Sequence, residues 1–390
     1  MCCAGRNKNE LYDSCLNGYQ GGIVMTEMQD GKFPVGLIPG ELPEVNFPPS
    51  VPEPPTYAGG TRIIRIIDAA LEQIRPVIEK AIAAYGAEKI GVCLGSCDNG
   101  SEGSLLAHQA LLAQGAFPED YHIRFQSASF PAEYIARKFG LSGPVFTIAT
   151  ACASGASAII RGAELIRSGL CGAVIAGGAD IVSPTVFAGF HALEAISDSL
   201  TNPFSKNRKG INLGEGAAFF LLDSAANSAV ELLGAGESAD ANHMTAPGAD
   251  GAGPAQAMRA ALADAELKAE HIGYINLHGT GTELNDKAEA LAMQAVFDEI
   301  PPISSTKPIT GHTLGAAGAL EAAICWMVLT EKKGLPVHCW DGVKDEEIPG
   351  LKSYVFPAAA DGQTAPSICM SNSFAFGGCN VSLILKRSNG

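Results

Sequence analysis

The segment TIATACASGASAIIRGAELIRSG, residues 147–169, sets the architecture. The run ahead of Cys152 is strand-like, Ser154, Gly155 and Ala156 are small, and the helix that follows leaves Cys152 at its N-terminus. A strand that turns directly into a helix is the repeating unit of an α/β fold. Working outward, short apolar runs alternate with helical patterns: IGVCLG (90–95), PVFTIAT (144–150), a helix over 153–168, GAVIAGGA (172–179) and AAFFLLD (217–223). A further helix is expected over 61–84, after a Pro-rich surface connection at 39–59. Continuous apolar strands imply a sheet covered on both faces.

The second part of the chain repeats this plan. IGVCLGS (90–96) is echoed by IGYINLHGT (272–280), and the segment around Cys152 by PISSTKPITGHTLGAAGALEAAICWMV (302–328). Each copy closes with a helix, a glycine (Gly169, Gly334) and a strand. A duplicated α/β unit is expected, one half over 1–230 and the other over 231–390, although any α/β chain shows some such echoes.

Composition narrows the function. With 390 residues, 47% hydrophobic and 17% charged, a disordered chain is ruled out. The 45 glycines require many positions where the backbone bends or is closely approached. A net charge of -15 argues against nucleic acid or an anionic membrane as the main partner, since both select clustered Lys and Arg. Eleven cysteines without a CxxC spacing weigh against a zinc site or disulfide framework and favour a reducing cytoplasm. No basic stretch followed by an apolar run opens the sequence, so no secretory signal is expected. The uncharged run 139–160 is long enough to span a bilayer, but reads as a buried strand entering a buried helix.

Three residues carry candidate chemistry. At a helix N-terminus the backbone N–H groups and the dipole favour thiolate at Cys152, and a strained strand-to-helix turn is where nucleophiles are presented. Alternatively Cys152 is a small buried core residue, as most lone cysteines are. His278 and His312 both sit in glycine-rich turns placed like that of Cys152, and the same dipole favours neutral imidazole at His312. A thiolate and two neutral imidazole donors suit a reaction that acylates sulfur and then stabilises an enolate. The two histidines lie far apart in sequence and form no HxxxH pair, so no metal is expected.

TACASG (150–155), NPFSKNRKGINLGEGAA (202–218), HGTGTELNDKAE (278–289), STKPITGHTLGAAG (305–318) and NSFAFGGCN (372–380) together resemble the elongating β-ketoacyl-acyl-carrier-protein synthases. The likeness runs over nearly the whole chain and implies a thiolase-like fold, a duplicated unit in five αβαβα layers. It implies Cys152 as the acyl-accepting nucleophile and His278 and His312 as the pair that binds the malonyl carbonyl and promotes loss of CO2. Lys307 matches the motif lysine and Glu289 the acid that bonds within the site. Thr280 and Thr282 stand where that family holds the pantetheine arm. Phe376 stands where it places a gating aromatic whose N–H joins that of Cys152 in an oxyanion hole. Lys307 could instead be a structural partner of Glu289 or Glu321, and Phe374 and Phe376 plain core aromatics. Glu215 reads as a residue that holds turns near the site.

The resemblance implies a dimer, homodimeric or paired with a related synthase or chain-length subunit, an acyl carrier protein as partner, and no cofactor. Related thiolases use a second Cys and chain-initiating synthases Cys-His-Asn, so two histidines select the decarboxylating class. Rival readings are an aryl polyene or polyketide ketosynthase with a chain-length partner, a non-catalytic scaffold subunit, and an acyl-CoA thiolase. The helix behind Cys152 and the segment 177–193 are candidates for an acyl tunnel, a dimer interface or plain core. The acidic net charge means that docking of an acidic carrier must rely on a local cluster, for which Arg62, Arg65, Lys206, Arg208 and Lys209 are the candidates.

The sequence also departs from the family. It opens at residues that normally follow a first β-strand, so either that strand precedes this start or the sheet is completed differently; an N-terminal extension is expected to raise the melting temperature. Ala375 stands where Gly is common before the gating Phe, implying a stiffer gate, and Cys379 where Thr is usual. Replacing Cys152 with Ala should abolish condensation, and replacing either histidine should spare acylation but remove decarboxylation. The segments 36–60 and 98–126 read as divergent caps.

Overall fold

The computed structural model describes residues 1–28, 31–45, 47, 61–98, 100–119, 121–224, 228–358 and 365–388. The helices are α1 Lys8–Asn17, α2 Thr61–Glu72, α3 Arg75–Tyr85, α4 Ser101–Gln114, α5 Phe130–Lys138, α6 Ser154–Arg167, α7 Pro184–Ala192, α8 Ala252–Asp264, α9 Glu283–Val296, α10 Lys307–Thr310 and α11 Ala317–Glu331. The strands are β1 Ile23–Met28, β2 Gly31–Gly36, β3 Ile90–Gly95, β4 Val145–Ile148, β5 Ala173–Asp180, β6 Gly216–Asp223, β7 Val230–Ala239, β8 Tyr274–Asn276, β9 Ile303–Ser304, β10 Ile368–Phe374 and β11 Cys379–Arg387. The helix expected over 61–84 is two helices, because the chain turns at Ile74 and Pro76 opens α3 without needing a hydrogen-bonded N–H. Of the Pro-rich connection 39–59, only 39–45 and 47 are described, and they carry no regular structure; the remainder, like 225–227 at the join of the halves, lies outside the described residues.

Two sheets carry the duplication. The first has the order β4-β3-β5-β6 and the second β7-β11-β10-β8-β9. In each, a central strand (β5 or β10) pairs parallel on one side and antiparallel on the other. Helices α6 and α11 pack on each other and lie between the sheets, α2, α3 and α5 cover the outer face of the first, and α8 and α9 the outer face of the second. This is the expected thiolase-like, five-layered arrangement. Every residue of β3, β5 and β10 is buried, which explains the continuous apolar runs of β3 and β5, whereas β10 also buries Ser371, Asn372 and Ser373.

The central layer demands small residues. A Cβ on Gly155 in α6 would stand 2.8 Å from the Gly315 carbonyl oxygen and 3.0 Å from Ala319, so only glycine lets the two helix starts meet. The apolar helix stretch Leu314–Glu331 is 78% buried inside this layer, which accounts for its composition.

The sheets differ at one edge. In the second, β7 lines the outer side of β11. Among the described residues, the matching side of β6 pairs with Met1 and Cys2: Cys2 bridges Gly216, and Met1 exchanges hydrogen bonds with Ala217, its carbonyl accepting at 2.9 Å and its ammonium donating at 2.6 Å. Along the rest of β6 runs a groove of about 1010 Å³, bordered by α1, α3 and α11, with Phe219, Leu221 and Trp326 in its wall.

Candidate active site

Cys152 lies in a 3-10 turn, Ala151–Ala153, between β4 and α6. Ala151 takes the left-handed conformation (φ 49°) that an L side chain normally avoids, which turns the chain sharply enough to aim Cys152 inward. His312 follows α10, and its main chain is clamped by the 202–218 motif: its N–H donates to the Asn212 carbonyl at 2.7 Å, and Gly214 N–H donates to its carbonyl at 2.9 Å. His278 leaves the end of β8, where Glu289 from α9 accepts the N–H groups of His278 (2.9 Å) and Gly279 (2.8 Å). Glu289 therefore shapes the histidine's turn through the backbone, at 0% exposure.

These elements bring together three side chains that are distant in sequence. His312 Nε2 lies 3.0 Å from Cys152 Sγ. The imidazole rings of His278 and His312 stand 5.6 Å apart, nearly perpendicular. Lys307 Nζ pairs with Glu321, donates to the His278 carbonyl, and lies 3.4 Å from His278 Nδ1. An ammonium has only donors, so Nδ1 accepts and the ring proton sits on Nε2, facing the site. Of the sequence alternatives, the Lys307 partner is Glu321, and Glu289 bonds the backbone instead.

Burial decides the electrostatics. It pushes the Cys152 thiol up to about 12, although Lys307 and a hydrogen bond from Phe376 N–H favour thiolate. The expected lowering of this thiol by the helix N-terminus is therefore corrected: at 4% exposure, desolvation outweighs it. Burial, and then Lys307, hold His278 and His312 well below the usual imidazole range, so both are neutral, as expected. Burial raises Glu289 and Glu321 to about 7 each, and in both Lys307 opposes the rise.

The ligand atoms of Cys152, His278 and His312 lie within 4.8 Å of one another, a donor set that the missing HxxxH spacing hid. The neighbouring Lys307 ammonium opposes a cation there. Thr280 and Thr282 share a hydroxyl–hydroxyl hydrogen bond of 2.9 Å at the turn before α9. Phe376 is half-buried, packed 5.9 Å from Phe190 of α7, while its N–H reaches Cys152. Ala375 has an ordinary extended backbone (φ -94°), so its methyl group is accommodated without backbone strain.

Comparison with known proteins matches this arrangement. The beta-ketoacyl synthase N-terminal domain model matches residues 64–228, and the beta-ketoacyl synthase C-terminal domain model residues 229–338. The 3-oxoacyl-[acyl-carrier-protein] synthase 2 of Vibrio cholerae is 37% identical over 320 residues, 77% of this chain and 76% of that protein. The chain belongs to the β-ketoacyl synthase family. A second relative, nodulation protein E of Rhizobium meliloti, is 36% identical over 312 residues, 76% of this chain and 74% of its own. Among solved structures, the ketosynthase ApeO in complex with its chain length factor ApeC from Xenorhabdus doucetiae has a TM-score of 0.87 and 37% identity. That match covers 100% of this chain and 96% of the other. The ishigamide ketosynthase/chain length factor gives a TM-score of 0.83 at 28% identity, covering 100% and 97%.

The structure divides the basic cluster of this ketosynthase. Arg62 pairs with buried Glu215, which also accepts the Ile38 N–H, so Glu215 ties turns together as expected. Arg208 is 4% exposed and bonds Asp345 and the carbonyls of Ser205 and Glu283. Arg208 is used inside the fold, which corrects its assignment to a docking face, whereas the Arg62 side chain keeps 37% exposure while paired to Glu215. Lys206 and Lys209 are exposed, and Arg65 is half-buried.

Sequence reasoning missed Asp180, Asp286 and Asn212. Asp286 accepts the N–H groups of Phe204 (2.7 Å) and Gly281 (3.1 Å), joining the 202–218 motif to the His278 turn. Its place three residues before Glu289, on the same side of α9, was the available signal. Asn212 had none, because it acts on main-chain groups: its carbonyl accepts the His312 N–H, and its side chain bonds the Thr201 N–H and the Ser199 carbonyl.

Proposed function

We propose that Cys152 accepts the acyl group and that His278 and His312 carry out decarboxylative condensation with a malonyl carrier protein. The observation that carries this is the 3.0 Å contact of His312 Nε2 with Cys152 Sγ, beside a His278 whose proton Lys307 directs into the site. Sγ attacks the thioester carbonyl of an acyl carrier protein while its proton passes to His312. The oxyanion meets the N–H groups of Phe376 and Cys152, and the carrier thiol leaves with a proton. The malonyl carbonyl then takes a hydrogen bond from His278 Nε2–H and one from His312 in the neutral tautomer that carries its proton on Nε2, the tautomer opposite to the one that accepts the Sγ proton. Its C–CO2 bond breaks, and the enolate forms a carbon–carbon bond to the Cys152 acyl carbon as the C–S bond breaks. The product is a β-ketoacyl carrier protein. Loss of CO2 drives the step, so no cofactor enters it.

Thr280 and Thr282 hold the pantetheine arm in this reading, Phe376 gates the entry, and Lys206 and Lys209 remain as docking charges for the carrier. The division at 230/231 separates the nucleophile's half from that of the histidines. The likeness to ApeO, solved with its chain length factor, supports pairing with a related subunit and a polyene- or polyketide-type chain. Cysteines free of disulfides support a reducing cytoplasmic setting. Mixing the protein with acyl and malonyl carrier proteins, then following CO2 and the mass of the Cys152 peptide, tests the mechanism; absence of acylation at Cys152 would sink it. His278→Ala should spare acylation and lose decarboxylation. The contact to Sγ supports a part for His312 in both steps, so its replacement should slow acylation too.

A further inference from the structure

Asp180, at the end of β5, is 1% exposed, and the mechanism above makes no use of it. Its surroundings follow from the internal duplication. TACASG (150–155) and TLGAAG (313–318) share the pattern T-x-x-A-x-G, and both form 3-10 turns, Ala151–Ala153 and Leu314–Ala316, leading into α6 and α11. The residue after each threonine is left-handed, Ala151 at φ 49° and Leu314 at φ 53°. Gly315 thus occupies in the second turn the place of Cys152 in the first. At the first turn, the loop after β10 brings the Phe376 N–H to the Cys152 sulfur. At the second, the end of β5, the counterpart of β10, brings a carboxylate instead: Gly315 N–H donates to Asp180 Oδ2 at 2.5 Å.

The same carboxylate accepts Ser96 Oγ–H (3.0 Å), Cys97 N–H (3.0 Å to Oδ2) and Asp98 N–H (2.9 Å) from the turn after β3. Cys97 Sγ in turn donates to the carbonyl of Ala151, the residue before the nucleophile, at 3.1 Å. One buried group therefore holds the turn that follows His312 and the turn that props Cys152. We propose that Asp180 is a positioning residue for condensation: by tying both turns to β5 it sets the separation of His312 from Cys152.

The inference rests on the catalytic reading of Cys152 and His312. Protonation of Asp180 would loosen its grip on three N–H donors, so activity should fall on the acid side. Burial, then Asp98, raise this acid to about 7. Around it stand Asp98 and Cys97 on the turn after β3, Cys152 across the nucleophile's turn, and the Glu215–Arg62 pair next to Gly216, its β6 partner.

The test compares wild type, Asp180→Asn, Ser96→Ala and Cys152→Ala in condensation with acyl and malonyl carrier proteins. Asp180→Asn should lower kcat at least about tenfold, with KM for the carrier nearly unchanged, because a misplaced catalytic group costs rate, not carrier binding. Ser96→Ala keeps the charge and removes one donor to the carboxylate, so the acid limb of the kcat profile should move to higher pH. A folded Asp180→Asn with wild-type kcat overturns the inference, as does an unmoved acid limb in Ser96→Ala, which decides the matter if Asp180→Asn does not fold. If Cys152→Ala still condenses, the catalytic reading itself has failed.

Discussion

His312→Ala should convert Cys152 into an isolated buried thiol, and the size of the effect can be worked out. Burial holds that thiol up at about 12. At pH 8 such a group is ionised to roughly one part in ten thousand, whereas a free cysteine near 8.5 is ionised to roughly a quarter. The gap of about 3.5 units corresponds to about 5 kcal/mol, which a proton acceptor beside the sulfur must offset. His312 Nε2, at 3.0 Å, is in place to do so, and a positioned base contributes on the order of a hundredfold to ten-thousandfold. The assay is timed alkylation with iodoacetamide, reading the Cys152 peptide by mass spectrometry so that the other cysteines do not interfere. Wild type should react at least about a hundredfold faster than the variant at pH 8. The variant's rate should climb about tenfold per pH unit up to pH 10, following hydroxide. A variant that reacts at the wild-type rate, or whose rate levels off near pH 8, would show that the thiol ionises without the histidine and would refute the reasoning.

Lys307→Met alone leaves Glu321 as a buried carboxylate without its ion-pair partner and should cost about 3–5 kcal/mol in chemical denaturation, whereas Lys307→Met with Glu321→Gln should recover most of that stability. Both variants should still alkylate Cys152 more slowly, since the ammonium that favours thiolate is gone in each. Lys206→Glu with Lys209→Glu should raise KM for the carrier several-fold and leave the melting temperature unchanged, while Arg208→Ala should lower the melting temperature through its lost Asp345 pair; equal effects on KM from both would count against the division of the basic cluster. Adding a short run of apolar β-formers ahead of Met1 should raise the melting temperature relative to a Gly/Ser extension of equal length, since it would continue the antiparallel pairing of Met1 with Ala217 along β6; equal melting temperatures would argue against that groove as a strand acceptor.

Strand and helix positions followed from local pattern. β3 and β5 lie where continuous apolar runs placed them, because a strand buried on both faces has no polar side to interrupt it. Cys152, His278, His312 and Lys307 were legible because each sits in a glycine-rich or small-residue motif whose order along the chain is itself informative. Asp180 and Asn212 were not, since their effect lies in accepting or pairing with main-chain groups, and main-chain groups leave no residue signature.

What the sequence by itself determined is therefore the α/β plan, the duplication and which side chains meet at the candidate site. Tertiary structure alone decided their state and their aim. The thiol that a helix N-terminus would ionise is instead held protonated, because desolvation depends on everything packed around it. The lysine's partner is Glu321 and not Glu289, because α11 and α9 approach the site from different sides. Two arginines that read as surface charge are fastened to acids 153 and 137 residues away. Each outcome depends on distances between segments remote along the chain, which local sequence pattern does not encode.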